Sequence, residues 1–216
     1  MKMNEFIEHT LLKPTATNEA LEKLYAEAKE HQFRGVCVNP INVKKAAEAL
    51  KGTGVKVVTV VGFPLGAMIS DAKAFEAKRA IEDGADEVDM VLNIQAAKNA
   101  EWDVVTEDIK TVKAACGSTV LKVILETDYL TKEEIKKACE CAIAAKADFV
   151  KTSTGFVNGG VGAKAEDVKL MYETVKDAGL RVKASGGIRD KEAAEAMVNA
   201  GASSLGTSSG IKIVNG

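Results

Sequence analysis

Short β-branched runs alternate with helix-spaced segments along the whole chain. The runs occupy residues 35–39, 57–61, 88–92, 121–125, 149–153, 181–185 and 204–207, and residues 7–12 read as a first strand. Between them, Leu21, Leu24, Tyr25 and Ala28 follow the i, i+3, i+4, i+7 spacing of an amphipathic helix. Val168, Met171, Tyr172 and Val175 repeat it, and Ile135, Ala138, Cys139, Ala142 and Ile143 extend it by one residue. Thr131 with Glu134 reads as a capping box, and Gly84, Gly179 and Gly201 fall where helices should end. A weak echo recurs in Gly84-Ala85-Asp86, Lys146-Ala147-Asp148 and Gly201-Ala202-Ser203, each ending a helix just before a strand. Eight strand–helix units in 216 residues average about 27 each, near the minimum for such a unit. No linker or composition shift divides them. The pattern predicts an α/β fold, a single (β/α)8 barrel of parallel strands over residues 1–216 with an outer ring of helices. The rival is a doubly wound open sheet, whose G-x-G-x-x-G fingerprint after the first strand is absent.

Composition sharpens this in one respect. The chain carries 32 alanines, and small residues let helices lie close against a sheet. The net charge is −2, so a basic nucleic-acid footprint is not indicated. No apolar run approaches the roughly 18 residues of a membrane span, and the first residues carry no secretory h-region. The four cysteines (Cys37, Cys116, Cys139 and Cys141) are too few and too scattered for a disulfide framework. With only His9 and His31 available, a metal site is not expected, and a cytoplasmic location is.

In such a barrel the chemistry sits at the C-terminal ends of the strands, so polar residues inside otherwise apolar strands mark candidates. Asp89 lies in the fourth strand, and Lys122, Lys151 and Lys183 lie in the fifth, sixth and seventh. An isolated strand lysine is ordinarily paired with a carboxylate or snorkels to an edge. Lys151 and Lys183 fall on consecutive strands, which run about 4.8 Å apart. Two neighbouring ammonium groups raise each other's cost of protonation and lower a lysine pKa. A neutral lysine near pH 7 attacks carbonyl carbon, which points to Schiff-base chemistry with Asp89 offsetting charge and relaying protons. Gly186-Gly187-Ile188-Arg189 follows the seventh strand, and Gly206-Thr207-Ser208-Ser209-Gly210 the eighth. Barrels commonly bind phosphate in these two loops, against a short helix N-terminus. A nucleophilic lysine beside a phosphate pocket is the pattern of an aldolase acting on a phosphorylated sugar.

At these residues the chain resembles the 2-deoxyribose-5-phosphate aldolases, class I aldolases built on a (β/α)8 barrel. The resemblance runs from Ile7-Glu8-His9-Thr10-Leu11-Leu12-Lys13-Pro14 to the Gly206–Gly210 segment, nearly the whole chain. It is strongest at residues 85–91, 121–127, 148–156 and 182–189. It implies reversible cleavage of 2-deoxy-D-ribose 5-phosphate to glyceraldehyde 3-phosphate and acetaldehyde, with neither metal nor organic cofactor. Lys151 matches the Schiff-base lysine, Lys183 the lysine that keeps it reactive, and Asp89 the carboxylate of the proton relay. Gly155, Gly186, Gly187, Arg189, Ser208 and Ser209 match positions near the phosphate, and Gly206 opens the eighth-strand segment. Thr10, Cys37 and Thr154 fall where the family lines the pocket, and Lys122 matches a supporting lysine near the site. Cys37 reads equally well as a buried strand residue. The resemblance also implies a homodimer or homotetramer.

The chain departs from the family in three places. Glu8 stands where the family usually has Asp, Phe156 where some members have a lysine near the phosphate, and Ser204 where many have arginine. The alternatives are another Schiff-base barrel lyase or transferase on a phosphorylated sugar, and a non-catalytic phosphosugar-binding barrel.

Overall fold

The computed structural model describes residues 2–216; Met1 lies outside the described residues. Eight strands close into a barrel in sequence order, every neighbour parallel and β1 paired with β8. They are β1 (Ile7–Leu11), β2 (Gly35–Val38), β3 (Lys56–Val61), β4 (Glu87–Val91), β5 (Val120–Ile124), β6 (Phe149–Lys151), β7 (Arg181–Ser185) and β8 (Ala202–Thr207). The predicted runs therefore fall on the observed strands, and the open-sheet rival is excluded by the β1–β8 pairing.

Helices cover the outside: α1 (Asn18–Glu30), α2 (Val43–Leu50), α3 (Ser70–Glu82), α4 (Ile94–Lys98), α5 (Trp102–Cys116), α6 (Lys132–Ala144), α7 (Ala165–Val175), α8 (Lys191–Asn199) and α9 (Gly210–Asn215). The five-residue α4 is an extra element in the fourth connection, which the sequence pattern did not single out. The alanine content has a clear use, since Ala28, Ala46, Ala77, Ala80, Ala138 and Ala194 are buried where helices meet the strands or one another. The predicted stripes of α1 and α6 face inward, although Ile143 is only partly covered. In α7 the predicted Tyr172 is 40% exposed and lies at the edge of the buried stripe. The Thr131–Glu134 capping box forms in both directions. None of the described helices is long and apolar enough to cross a membrane.

The sequence echo before the strands has a structural cause. Asp86 Oδ2 accepts the Val57 N–H at 2.8 Å, and Asp148 Oδ2 accepts the Leu121 N–H at 2.8 Å. Each carboxylate thus satisfies a backbone donor at the start of the preceding strand, where the ladder would leave it unpaired. The main chain reinforces it: Asp86 N–H donates to Val57 O, and Asp148 N–H to Leu121 O. Between β7 and β8 the register slips by one residue at Val182/Lys183, so that Lys183 pairs with Ser204 and Ser185 with Gly206.

Candidate active site

Alternation along a strand sends every second side chain into the barrel. In β4, β5, β6 and β7 that set includes Asp89, Lys122, Lys151 and Lys183, which converge on a single carboxylate. Lys151 and Lys183 both donate to Asp89 Oδ2, at 2.8 and 2.7 Å, and Lys122 donates to Oδ1 at 2.9 Å. Lys183 is also ion-paired with Glu8, and Lys122 lies 2.6 Å from Glu87. All are buried. A Cβ at Gly206 would run first into the Ser185 hydroxyl and would stand 3.1 Å from Lys183 Cε, so glycine leaves room for both side chains.

The two candidate lysines are pushed in opposite directions. Burial pulls Lys183 down, but Asp89 and Glu8 outweigh it and hold it above the usual lysine value, so it stays an ammonium. Burial is also the largest influence on Lys151. There the single partner Asp89 does not offset it, Lys183 adds repulsion, and the pKa falls below the ordinary value. Mutual repulsion, the cause expected from sequence, is therefore secondary to desolvation at Lys151 and is outweighed at Lys183 by its two carboxylates. Asp89 is held well below the usual carboxylate range, since Lys122, Lys151 and Lys183 together overcome its burial.

A cavity of about 460 Å³ opens over the C-terminal strand ends. Of the interior lysines, Lys151 alone reaches its floor. Thr10, Thr154 and Gly155 line one part of the wall, and Gly186, Gly187 and Arg189 another. Gly206, Ser208 and Ser209 complete it, with Lys13 and Phe156 at its edge. Gly186 and Gly187 have φ of +85° and +75°, a backbone form that side chains other than glycine rarely take. A larger groove of about 730 Å³ between α1 and α9 shares Thr10, Leu11, Ser208 and Ser209 but reaches none of the interior charges.

Two residues expected at the pocket lie elsewhere. Lys122 does not line the cavity, because its register partner on β6 is Phe149, two residues below Lys151. Cys37 is fully buried among Leu12, Val58 and Val60 beneath the floor, and burial raises its thiol pKa. Of the departures, Glu8 reaches Lys183, Phe156 packs edge-on against Phe63 at 5.1 Å, and Ser204 is buried with no partner for its hydroxyl among the described residues.

Several site residues were not singled out from sequence. Glu126, at φ +59°, accepts the Thr154 N–H at 3.1 Å together with the Thr154 hydroxyl, fixing the loop that carries Gly155. Thr152 Oγ1 donates to Ser185 O at 3.0 Å and accepts the Ser185 N–H at 2.9 Å, tying the ends of β6 and β7 together. The buried hydroxyl of Ser185 on the cavity wall has no partner among the described residues. The available signal was the same throughout: a polar residue at the C-terminal end of a predicted strand.

Comparison with known proteins agrees with this geometry. Residues 6–216 match the family model described as DeoC/LacD family aldolase. The chain is 56% identical over 216 residues to a deoxyribose-phosphate aldolase of Brevibacillus brevis, covering 100% of this chain and 96% of that one. A solved structure assigned as a deoxyribose-phosphate aldolase from Coccidioides immitis superposes with a TM-score of 0.96 at 46% identity, covering 99% of this chain and 85% of that one. The tetrameric deoxyribose phosphate aldolase from Aeropyrum pernix gives 0.91 at 34% identity, with 99% and 89% covered. A closed parallel barrel with an amine at its mouth and full-length similarity to these enzymes leads to one assignment: the chain belongs to the DeoC/LacD aldolase family.

Proposed function

We propose that this enzyme is a class I aldolase that reversibly cleaves 2-deoxy-D-ribose 5-phosphate to D-glyceraldehyde 3-phosphate and acetaldehyde, with Lys151 as the nucleophile. The observation that carries the assignment is the placement of Lys151. It is the interior lysine that opens on the cavity, and the one whose surroundings favour the neutral amine. Neutral Lys151 attacks the C1 aldehyde. The proton released from its nitrogen passes by way of Asp89 Oδ2 to the carbinolamine hydroxyl, which leaves as water. The resulting iminium draws in the electrons of the C2–C3 bond as the C3 hydroxyl loses its proton. Glyceraldehyde 3-phosphate departs, and the remaining enamine is protonated at carbon and hydrolysed to acetaldehyde and free Lys151. Lys183, held as an ammonium, keeps positive charge beside the amine without competing for the aldehyde.

Backbone amides of Gly155, Gly186 and Gly187, the Ser208 and Ser209 hydroxyls and Arg189 surround the cavity mouth and suit a phosphate dianion. Binding there holds the reacting carbons over Lys151 and lowers the entropic part of the barrier. Lys122 and Cys37 act from below the floor. A homodimer or homotetramer in the cytoplasm accompanies this reading. Leu65, Ile69 and Phe75 stand more than two-thirds exposed as candidate contact residues, and the Aeropyrum relative is tetrameric.

Borohydride reduction in the presence of acetaldehyde tests the proposal. An added ethyl group mapped by mass spectrometry to Lys151, absent in Lys151→Ala together with turnover, is expected. An adduct on another lysine, or turnover surviving Lys151→Ala, overturns it.

A further inference from the structure

Beneath the active site the interior charges form a closed circuit. Lys183 pairs with Glu8, and Glu8 accepts Arg34 Nη1 at 2.5 Å. The same guanidinium forks onto Glu87, at 3.0 and 2.7 Å. Glu87 lies 2.6 Å from Lys122, Lys122 donates to Asp89, and Asp89 accepts Lys183. The circuit therefore alternates Arg34, Glu8, Lys183, Asp89, Lys122 and Glu87, three cations with three carboxylates. Arg34 is 15% exposed by side chain, and the other five are fully or almost fully buried. A planar guanidinium with five donors can bridge two carboxylates in this way.

We infer that Arg34 and Glu87, at the barrel end away from the cavity, are positioning residues for Lys151: by closing this balanced ring they leave Lys151 as the interior cation with no carboxylate of its own. The inference rests on Lys151 being the nucleophile. Its physical basis is the penalty on an unbalanced buried charge, which the interior avoids by shedding a proton. Around Lys151 stand Asp89 from β4, Lys183 from β7, Lys122 from β5, the Cys37 thiol from β2 and, through Lys183, Glu8 from β1. Glu126, just beyond the end of β5, is held by Thr154 and lies close enough to Lys151 to feel its charge, without pairing with it. Half-exposed Lys56 lies 3.3 Å from Glu87, and exposed Arg181 stacks on Phe149 at 4.1 Å, both at the solvent-facing lower end. Directions of titration agree with the ring: Arg34 and Lys122 are raised, Glu87 is lowered to about 2, and Lys151 is lowered.

The test is the pH dependence of kcat/KM, read alongside the pH dependence of borohydride trapping by acetaldehyde. Trapping at Lys151 in the unaltered protein establishes the nucleophile independently of any variant. In Arg34→Gln three carboxylates face two ring cations, Lys151 takes up a proton, and the acid limb should move up by about one pH unit. In Glu87→Gln the imbalance reverses and the limb should move down. The double variant should return towards the original profile, and Arg34→Lys should restore much of it. A purely structural role lowers activity at every pH without these opposed shifts. A folded Arg34→Gln with an unmoved limb overturns the inference. Should Arg34→Gln not fold, Glu87→Gln decides, since an unmoved or raised limb there is equally fatal.

Discussion

Removing the charge on Lys183 should convert Lys151 from a nucleophile into an ammonium at neutral pH. Both nitrogens bond the same oxygen of Asp89, at 2.8 and 2.7 Å, so they lie no more than about 5.5 Å apart. At an effective dielectric constant of about 20, two unit charges at that distance repel by about 3 kcal/mol, close to two pH units. Lys183→Met abolishes that repulsion and leaves Glu8, Asp89 and Glu87 with two ring cations, Arg34 and Lys122, in place of three. Both changes raise the Lys151 pKa, and activity requires the neutral amine, so the acid limb of kcat/KM should move about two units upward. At a fixed pH on that limb the loss is about a hundredfold, recovered as the pH rises. Lys183→Arg keeps the charge and should leave the limb nearly in place even if turnover slows. The assay is retro-aldol cleavage of deoxyribose 5-phosphate across the pH range, with near-UV circular dichroism to verify the fold. A native Lys183→Met with an unmoved limb, or a Lys183→Arg that shifts as far, would refute the electrostatic reasoning.

Three further outcomes are expected. Arg189→Ala should lower kcat/KM for the phosphorylated sugar by at least about tenfold, the scale of a lost charged hydrogen bond, while cleavage of unphosphorylated 2-deoxyribose stays unchanged; equal losses would remove Arg189 from the phosphate site. Lys73 is fully buried on α3 and donates to Asp108 Oδ2 at 2.7 Å and Val91 O at 3.0 Å, so Lys73→Met should destabilise by about 3–5 kcal/mol in urea. Lys73→Met/Asp108→Leu should recover part of that, and a single variant as stable as the parent would contradict the pairing. Burial alone would raise Glu87, but Lys122 and Arg34 outweigh it and hold it at about 2 against an ordinary 4.5. Its folded pKa is the lower one, so its contribution of roughly 3 kcal/mol is present above pH 4.5 and lost as the pH falls towards 2. Urea midpoints should fall less steeply over that interval in Glu87→Gln, and an unchanged slope would count against it.

How much of this was legible in the sequence depends on what a one-dimensional pattern encodes. Strand membership is encoded, because β-branched runs and helical stripes have different periods. Burial is encoded too, since a lysine or aspartate within an apolar strand has no solvent to face on either side, but whether it points into the barrel or into the helix layer is not. Depth along the barrel axis is not. In a tilted, staggered barrel, height depends on register between strands, and no count along one strand reveals it. Lys122 illustrates the failure: it was expected as a supporting lysine lining the site, yet Ile124 is the residue that pairs with Lys151, and Lys122 sits two residues lower. Cys37 pairs with Thr10, which does line the cavity, but its own side chain is enclosed by Leu12, Val58 and Val60.

The same loss of depth hid Arg34 and Glu87. Arg34 precedes β2 and Glu87 opens β4, positions where a charged residue ordinarily marks a strand end meeting solvent. They lie in the interior beside Phe149, whose ring is 5.6 Å from Lys122 Nζ and 6.0 Å from the Arg34 guanidinium. A barrel interior is usually filled by layers of branched apolar side chains, and a buried ionic network is often no more stable than the apolar packing it replaces. Six ring charges are therefore poorly explained as a stabilising device. They make sense if the layer exists to hold the charge state of the layer above it, where one lysine opens on the cavity and must remain an amine. On that argument an apolar replacement of the whole ring could fold and even gain stability, while Lys151, left with no fixed cation beside it, would lose the electrostatic setting that separates it from an ordinary buried lysine.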